Sequence, residues 1–167
     1  MANEDQLCRL FANRMKDAPV FASWVLSHTK FAERGSGAKL LHDEQVWRRP
    51  NVNPDNWWRH WWCRLPWGEE RETDIFVVFE LSESKKRFAL HIENKKDSKF
   101  SPGQAEGYRP RARHMMGKEK WLNYTDFETL LIAPLAFKKI NKAKCDLFDS
   151  YLSYEDIRNF LPEFCHL

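Results

Sequence analysis

The sequence predicts an α/β fold: a mixed β-sheet with a central antiparallel hairpin and a parallel crossover strand, flanked by helices. Three observations predict it. Two apolar runs, Ile75–Leu81 and residues 88–92, flank the short polar stretch 82–86, which is the pattern of a β-hairpin. A third apolar run, residues 127–133, is halted by Pro134 and separated from the second by a helix-length segment. Such a connection is a crossover, which sets the third strand parallel to the second hairpin strand. Helix-start signals stand at both ends, Asn3 with Gln6 and Ser153 with Asp156.

Taken in order, Leu7, Leu10 and Phe11 recur at helical spacing after Asn3 and predict a first helix near residues 4–16, ended before Pro19. Residues 20–31 predict a second, closed by Gly35–Ser36–Gly37. The stretch 42–68 holds three prolines and six of the eight tryptophans; residues 55–63 fit a short helix whose tryptophans at i, i+3 and i+4 pack inward. The hairpin follows, then a helix over about residues 102–114, the strand 127–133, and a last helix from Ser153 to Leu161 before Pro162. There is no repeat, low-complexity tract or linker, so residues 1–167 are expected to form one domain.

Composition narrows the class. A chain that is 43% hydrophobic and 14% aromatic is a folded globule rather than a disordered segment. No apolar run approaches the about 18 residues of a membrane span, and the opening MANEDQLCRLF lacks a signal-peptide core. The cysteines at 8, 63, 145 and 165 are scattered without a C-x-x-C pair, which suits reduced thiols in a cytoplasm better than disulfides or zinc. The expected setting is cytoplasmic, with no membrane partner.

The chemistry sits at the open end of the hairpin. If pairing is symmetric about positions 83 and 84, Asp74 lies opposite Glu93, and opposed residues have Cβ atoms about 4.5–5.5 Å apart. Strand alternation puts Glu93 and Lys95 on one face and Asn94 on the other. Two carboxylates and a lysine on one rigid surface suit a metal-dependent hydrolytic site. Mg²⁺ uses one or two carboxylates with water and phosphate, and a bound ion polarises a phosphoryl oxygen and acidifies a water. Lys95 would orient that water or stabilise charge developing on phosphorus. The competing reading is a surface cross-strand ion pair, worth less than about 1 kcal/mol. His91 shares the face of Glu93 and Lys95, but a lone strand histidine is more often structural than a ligand.

Asp74, the triplet Glu93–Asn94–Lys95 and the later Gln104–Ala105–Glu106–Gly107–Tyr108 occur in that order within residues 72–110. This arrangement resembles the PD-(D/E)xK nuclease superfamily, in the branch carrying E-x-K and Q-x-x-x-Y; Thr73 stands where the first motif often has proline. The resemblance implies a restriction-endonuclease-like core, a nuclease acting on DNA, and Mg²⁺ as cofactor with Mn²⁺ as a substitute. It assigns Asp74 and Glu93 to the metal and Asp74, Glu93, Lys95, Gln104 and Tyr108 to catalysis. Gln104 and Tyr108, at i and i+4, share a helix face and would contact a phosphate or hold Lys95 and the water; alternatively Tyr108 is core and Gln104 solvated. Many members add an acid from the first helix. Glu4 is the choice here, with Glu33, Asp43 and Glu44 as competitors and the helix dipole as its ordinary explanation.

From Lys95 to Lys120 there are eight basic residues against three acids, a surplus of five in a chain of net charge +3. Lys96, Lys99, Arg109, Arg111 and Arg113 are therefore expected to contact nucleic-acid phosphates; the bland reading is a solvated basic helix. The tryptophan-rich block, interleaved with Arg59, His60 and Arg64, is assigned to core before base stacking. A second function class stays open, a non-catalytic module that keeps the fold and binds nucleic acid or protein.

Overall fold

The structure is a computed structural model and describes residues 2–165. The hairpin forms where the polar stretch interrupts the apolar runs. Strands β4 (Ile75–Leu81) and β5 (Arg87–Asn94) pair antiparallel, with Ile75 opposite Ile92, Val77 opposite Leu90 and Phe79 opposite Phe88, a register centred on positions 83 and 84. Strand β1 (Ala38–Leu40) pairs antiparallel with β4. Strands β6 (Asp126–Ala133) and β7 (Ser150–Ser153) extend the other side in parallel, giving the order β1-β4-β5-β6-β7. The link from β5 to β6 carries helix α4 (Gln104–Met115), the expected crossover. Strands β2 (Trp61–Arg64) and β3 (Glu70–Thr73) form a separate antiparallel ribbon.

Side-chain alternation sends the sheet's apolar residues both ways. Ile75, Val77, Phe79, Phe88, Leu90 and Ile92 join Leu7, Phe11, Phe21 and Val25 in one cluster beneath helices α1 (Glu4–Asp17) and α2 (Pro19–Ser27). Phe76, Val78 and Ala89 face Trp61, Leu65, Met115 and Trp121 on the opposite side, while Leu131 and Ala133 pack with Tyr108 and Phe148. Cover on both faces explains why the strands read as continuous apolar runs. α1 opens on the expected capping box, Asn3 and Gln6 bonding reciprocally at 2.8 and 3.0 Å.

Several elements depart from expectation. α2 stops at Ser27, because the side chains of Ser27, His28 and Thr29 engage the carbonyls of Trp24 and Leu26 in competition with the helix. Residues 55–63 are not a helix. A single 3₁₀ turn, Pro54–Asn56, is followed by His60 in the left-handed region (φ 62°), and Trp61–Arg64 then pairs with Glu70–Thr73. Alternation along this strand buries Trp61 and Cys63 and exposes Trp62 and Arg64. The tryptophan block thus divides: Trp57, Trp58 and Trp61 are core, whereas Trp47, Trp62 and Trp67 are exposed. The last helix, α7 (Tyr154–Ile157), is one turn capped by Ser153 and continues only as hydrogen-bonded turns to Leu161. Short helices α3 (His42–Trp47), α5 (Leu135–Ile140) and α6 (Lys142–Cys145) complete the chain. All four cysteines are unpaired thiols, and no described helix is long and apolar enough to cross a membrane.

β1 covers only part of β4's outer edge; the rest is shared by Gln45 of α3, Leu41 N, which donates to Val78 O, and Trp58 O, which accepts from Phe76 N. The fully buried Gln45 donates to Phe76 O at 3.0 Å and accepts from Val78 N at 2.9 Å, standing in for a strand. Gln45→Leu should lower unfolding free energy by about 1–3 kcal/mol for each buried group it orphans. A shift of the urea midpoint checks this; an unchanged midpoint would mean that the edge is satisfied by other groups.

Candidate active site

Continuing the β4–β5 register by one pair brings Asp74, at the entry to β4, level with Glu93. Asp74 Oδ2 accepts a 3.0 Å hydrogen bond from the backbone N–H of Asn94, which ties it across the hairpin's open end. Glu93 is fully buried. Lys95 Nζ lies 3.2 Å from Glu93 Oε1, with only 8% of its own side chain exposed. The surface ion-pair reading therefore fails, since these groups are enclosed. Asn94 projects to the opposite face, donating to Glu4 O and Cys8 Sγ and accepting from the Tyr154 hydroxyl, and so pins the strand to α1 and α7.

α4 delivers two more side chains to Glu93. Gln104 Nε2 donates to Oε1 at 2.6 Å, and the Tyr108 hydroxyl donates to Oε2. Tyr108 is core and site at once: it is buried, packs on Phe148, and its oxygen also accepts from Asp74 N at 3.3 Å. The pair holds a carboxylate, where the sequence left phosphate, water or Lys95 as its partner.

Burial is the main cause of the electrostatics. It pushes Asp74 well above the usual carboxylate range, and Glu93 adds repulsion that the Asn94 N–H and Lys95 only partly offset. Glu93 is raised by its own burial, against the lowering pull of Lys95 and the Tyr108 hydrogen bond. Tyr108 is likewise pushed up by burial, then by Glu93. His91 is structural: it sits 3.2 Å from Thr73 Oγ1 and 3.1 Å from the Tyr124 hydroxyl, and burial drives its pKa down to about 3, which keeps it neutral.

Glu4, among the four acids weighed, is the one that reaches the site. It lines a cleft of about 200 Å³ with Asp5, Cys8, Trp58, Glu72 and Asp74, beside Arg59. Its carboxylate accepts from Lys96 N at 2.7 Å and from Ser98 Oγ at 2.8 Å, and Ser98 Oγ in turn accepts from Lys95 Nζ at 3.3 Å. Glu4 thus connects to Lys95 through Ser98. Glu44 instead pairs with Arg87. Asn94, Ser98 and Glu72 carry no motif signal; only alternation, which sends Asn94 to the other face, hinted at one of them.

The basic segment is less uniform than expected. Lys99 and Arg113 are exposed. Arg109 is exposed but ion-paired with Asp149, and Lys96 Nζ donates to Ala2 O at 2.9 Å. Arg111 is a correction: it is buried, so it belongs to no solvated row of phosphate contacts. The reason is Gly107, one turn earlier, where an added Cβ would stand 2.6 Å from Arg111 Nη1. The guanidinium fills that space, lies 4.5 Å from the Tyr108 ring centroid and lowers the pKa of Glu93. None of its three nitrogens has a hydrogen-bond partner among the described residues.

A carboxylate offers about four lone-pair sites. Glu93 gives three to Gln104, Tyr108 and Lys95, whereas Asp74 gives one to Asn94. No group of three or more His, Cys, Asp or Glu placed to hold a metal occurs among the described residues. Two carboxylates with spare lone pairs and mutual repulsion nevertheless fit Mg²⁺, which takes one or two carboxylates and keeps waters; Asp74 and Glu93 would hold it. Compared with known protein families, curated proteins and solved structures, the chain finds no match.

Both carboxylates titrate above their unfolded values, so above about pH 4 the folded protein binds more protons than the unfolded chain. Stability without metal therefore declines as pH rises through that window. Asp74→Asn keeps an acceptor for Asn94 and removes one charge. It should melt higher than wild type near neutral pH in EDTA, lose less stability between about pH 5 and 7, and gain nothing from Mg²⁺. Scanning fluorimetry in EDTA and in Mg²⁺ checks all three; a lower melting temperature in EDTA would contradict the repulsion.

Proposed function

We propose that this chain is a metal-dependent nuclease of the PD-(D/E)xK superfamily, with a restriction-endonuclease-like core, hydrolysing phosphodiester bonds in DNA. The observation that carries the reading is the enclosed cluster itself: Asp74 level with Glu93, and Glu93 held by Lys95, Gln104 and Tyr108 together. Like charges side by side, Glu93 buried and Asp74 half-buried at a cleft, are unfavourable for stability, which makes such a pair a functional-site candidate.

When bound, Mg²⁺ supplies Lewis-acid polarisation of the phosphoryl oxygen and a more acidic water. Gln104 and Tyr108 fix the orientation of Glu93, so that its remaining lone pair is aimed rather than free to rotate. Lys95, anchored between Glu93 and Ser98, keeps its ammonium at the carboxylate pair, where it orients a water or stabilises charge on phosphorus. Glu4 positions Lys95 indirectly by holding Ser98 and the backbone of Lys96. Of the five cations expected to contact phosphates, Lys99 and Arg113 are the exposed ones without an ion pair among the described residues.

One observation favours the non-catalytic alternative: Glu93 is nearly satisfied by protein donors alone. Calorimetry of metal-free protein with Mg²⁺ separates the readings, since absence of binding would favour the module. The direct test is hydrolysis of plasmid DNA, single-stranded DNA and RNA with Mg²⁺, Mn²⁺ or EDTA. Lys95→Ala should abolish cleavage while largely sparing nucleic-acid binding, and Lys95→Arg should rescue little, because a planar fork does not replace a compact ammonium. Equal loss of binding and cleavage would assign Lys95 to docking.

A further inference from the structure

Of the three exposed tryptophans, two have partners: Trp47 lies under the Arg48 guanidinium, and Trp67 Nε1 donates to Glu69. Trp62 is 47% exposed, and its indole has neither a hydrogen bond nor a ring or cation contact among the described residues. An indole held open to solvent on a rigid strand is an unused stacking surface. Its neighbours give the surface a sign. Trp62 borders a cleft of about 510 Å³ lined by Arg48, Arg49, Lys120, His60 and Glu119, within the usual ligand-site range of about 300–1,000 Å³. Arg48 is shared between Glu44 and Glu119, but Arg49 donates only to backbone carbonyls, and Lys120 lies over the Trp121 ring with no carboxylate partner among the described residues. The cleft therefore carries net positive charge beside an apolar ring.

This cleft adjoins the acidic one. Trp58 and Arg59 line the acidic cleft, and His60 and Trp62 line the basic cleft. The ridge between them is the 3.1 Å contact of His60 Nδ1 with Glu72 Oε2. Trp62 sits directly opposite Glu72 in the β2–β3 ribbon, and Asp74 follows Glu72 by two residues. Steps of about 3.3 Å along a strand and about 5 Å across put the two backbones roughly 8 Å apart.

We propose that the basic cleft and the outer face of the ribbon bind an unpaired nucleic-acid strand, with Trp62 stacking a base close to the phosphodiester presented to Asp74 and Glu93. This rests on the nuclease reading and deepens it to a substrate class: strands with unpaired bases, such as single-stranded segments, frayed ends or flaps. Paired bases already stack on their neighbours in a duplex, so an isolated indole gains a partner only from a base that is free. Lys120 then contacts a phosphate, while Arg49, whose four terminal N–H groups are held by the carbonyls of Asn56, Trp57, Arg59 and His60, adds only its charge to the cleft.

The test uses full-length protein carrying Asp74→Asn, which blocks cleavage, and measures fluorescence anisotropy of a labelled oligothymidylate and of a blunt duplex. Trp62→Ala should weaken oligothymidylate binding about 5- to 150-fold, the range for losing one stacked base. Trp62→Phe should retain most of the affinity, duplex binding should not change, and Lys120→Gln should lower the single-strand salt slope by about 0.7. Unchanged oligothymidylate affinity in Trp62→Ala overturns the proposal, as does an equal loss on duplex. A wild-type dimer that Trp62→Ala dissolves, with nucleic-acid affinity intact, would make this face a protein interface and also overturn it. Mg²⁺-dependent plasmid cleavage by wild type separates the failures: if it persists, only the strand assignment falls; if wild type neither cleaves nor binds, the nuclease reading falls and takes this one with it.

Discussion

A carboxylate taken fully out of water must be surrounded by donors or give up its charge. Glu93 meets that condition at the end of a strand covered on both faces, and much of the molecule is arranged to satisfy it. α4 has to lie over the sheet with Gln104 and Tyr108 turned inward, and β5 has to end so that Lys95 folds back onto the same oxygen. The loop after Lys95 has to close, which it does by hydrogen bonds from Lys96 N and Ser98 Oγ to Glu4. The first helix, the central hairpin and the crossover helix are thereby coupled through one side chain. Moving the hairpin or the crossover helix leaves a buried charge without part of its shell, and moving the first helix frees the loop that anchors Lys95 through Ser98.

The hairpin and crossover were legible because each is carried by a local period. The polar stretch 82–86 is short enough to set a symmetric turn, and symmetry alone predicts Asp74 level with Glu93; the observed pairing runs with that symmetry as far as Ile75 and Ile92, one pair short of it. The i, i+4 spacing of Gln104 and Tyr108 likewise predicts a shared face. What they would touch was not legible, since that depends on how α4 docks, a tertiary matter. The same holds for β1, β3 and β7, strands of three or four residues whose pairing is decided by partners distant in sequence.

Arg111 and the tryptophan block show a second limit. Charge counting places Arg111 with Arg109 and Arg113, yet on a helix these three positions cannot share one face, and the middle one turns toward Gly107 and the sheet. In the block, Trp57, Trp58 and Trp61 have helical spacing, and that spacing is coincidental. The left-handed His60 breaks the segment, and period two takes over from Trp61. Period two is also what separates Trp61, in the core, from Trp62, in solvent, although the two are chemically identical and adjacent.

The two clefts divide capture from chemistry in the proposed reading. The acidic cleft presents Glu4, Asp5, Glu72 and Asp74 against Arg59 alone, and Arg59 is already paired with Asp5 at 2.6 Å. A polyanion meeting that surface by itself is repelled, so on the proposed reading affinity for nucleic acid originates elsewhere, and the carboxylates become approachable only as a cation offsets them. The neighbouring cleft has the opposite sign, and the two meet at His60 and Glu72. In the proposed division of labour, the basic cleft and the exposed indole hold the strand, and the acidic pair acts on it across the ridge. Separating the two is physically sensible: donors strong enough to hold phosphate at Asp74 and Glu93 would also neutralise the lone pairs that a metal ion needs.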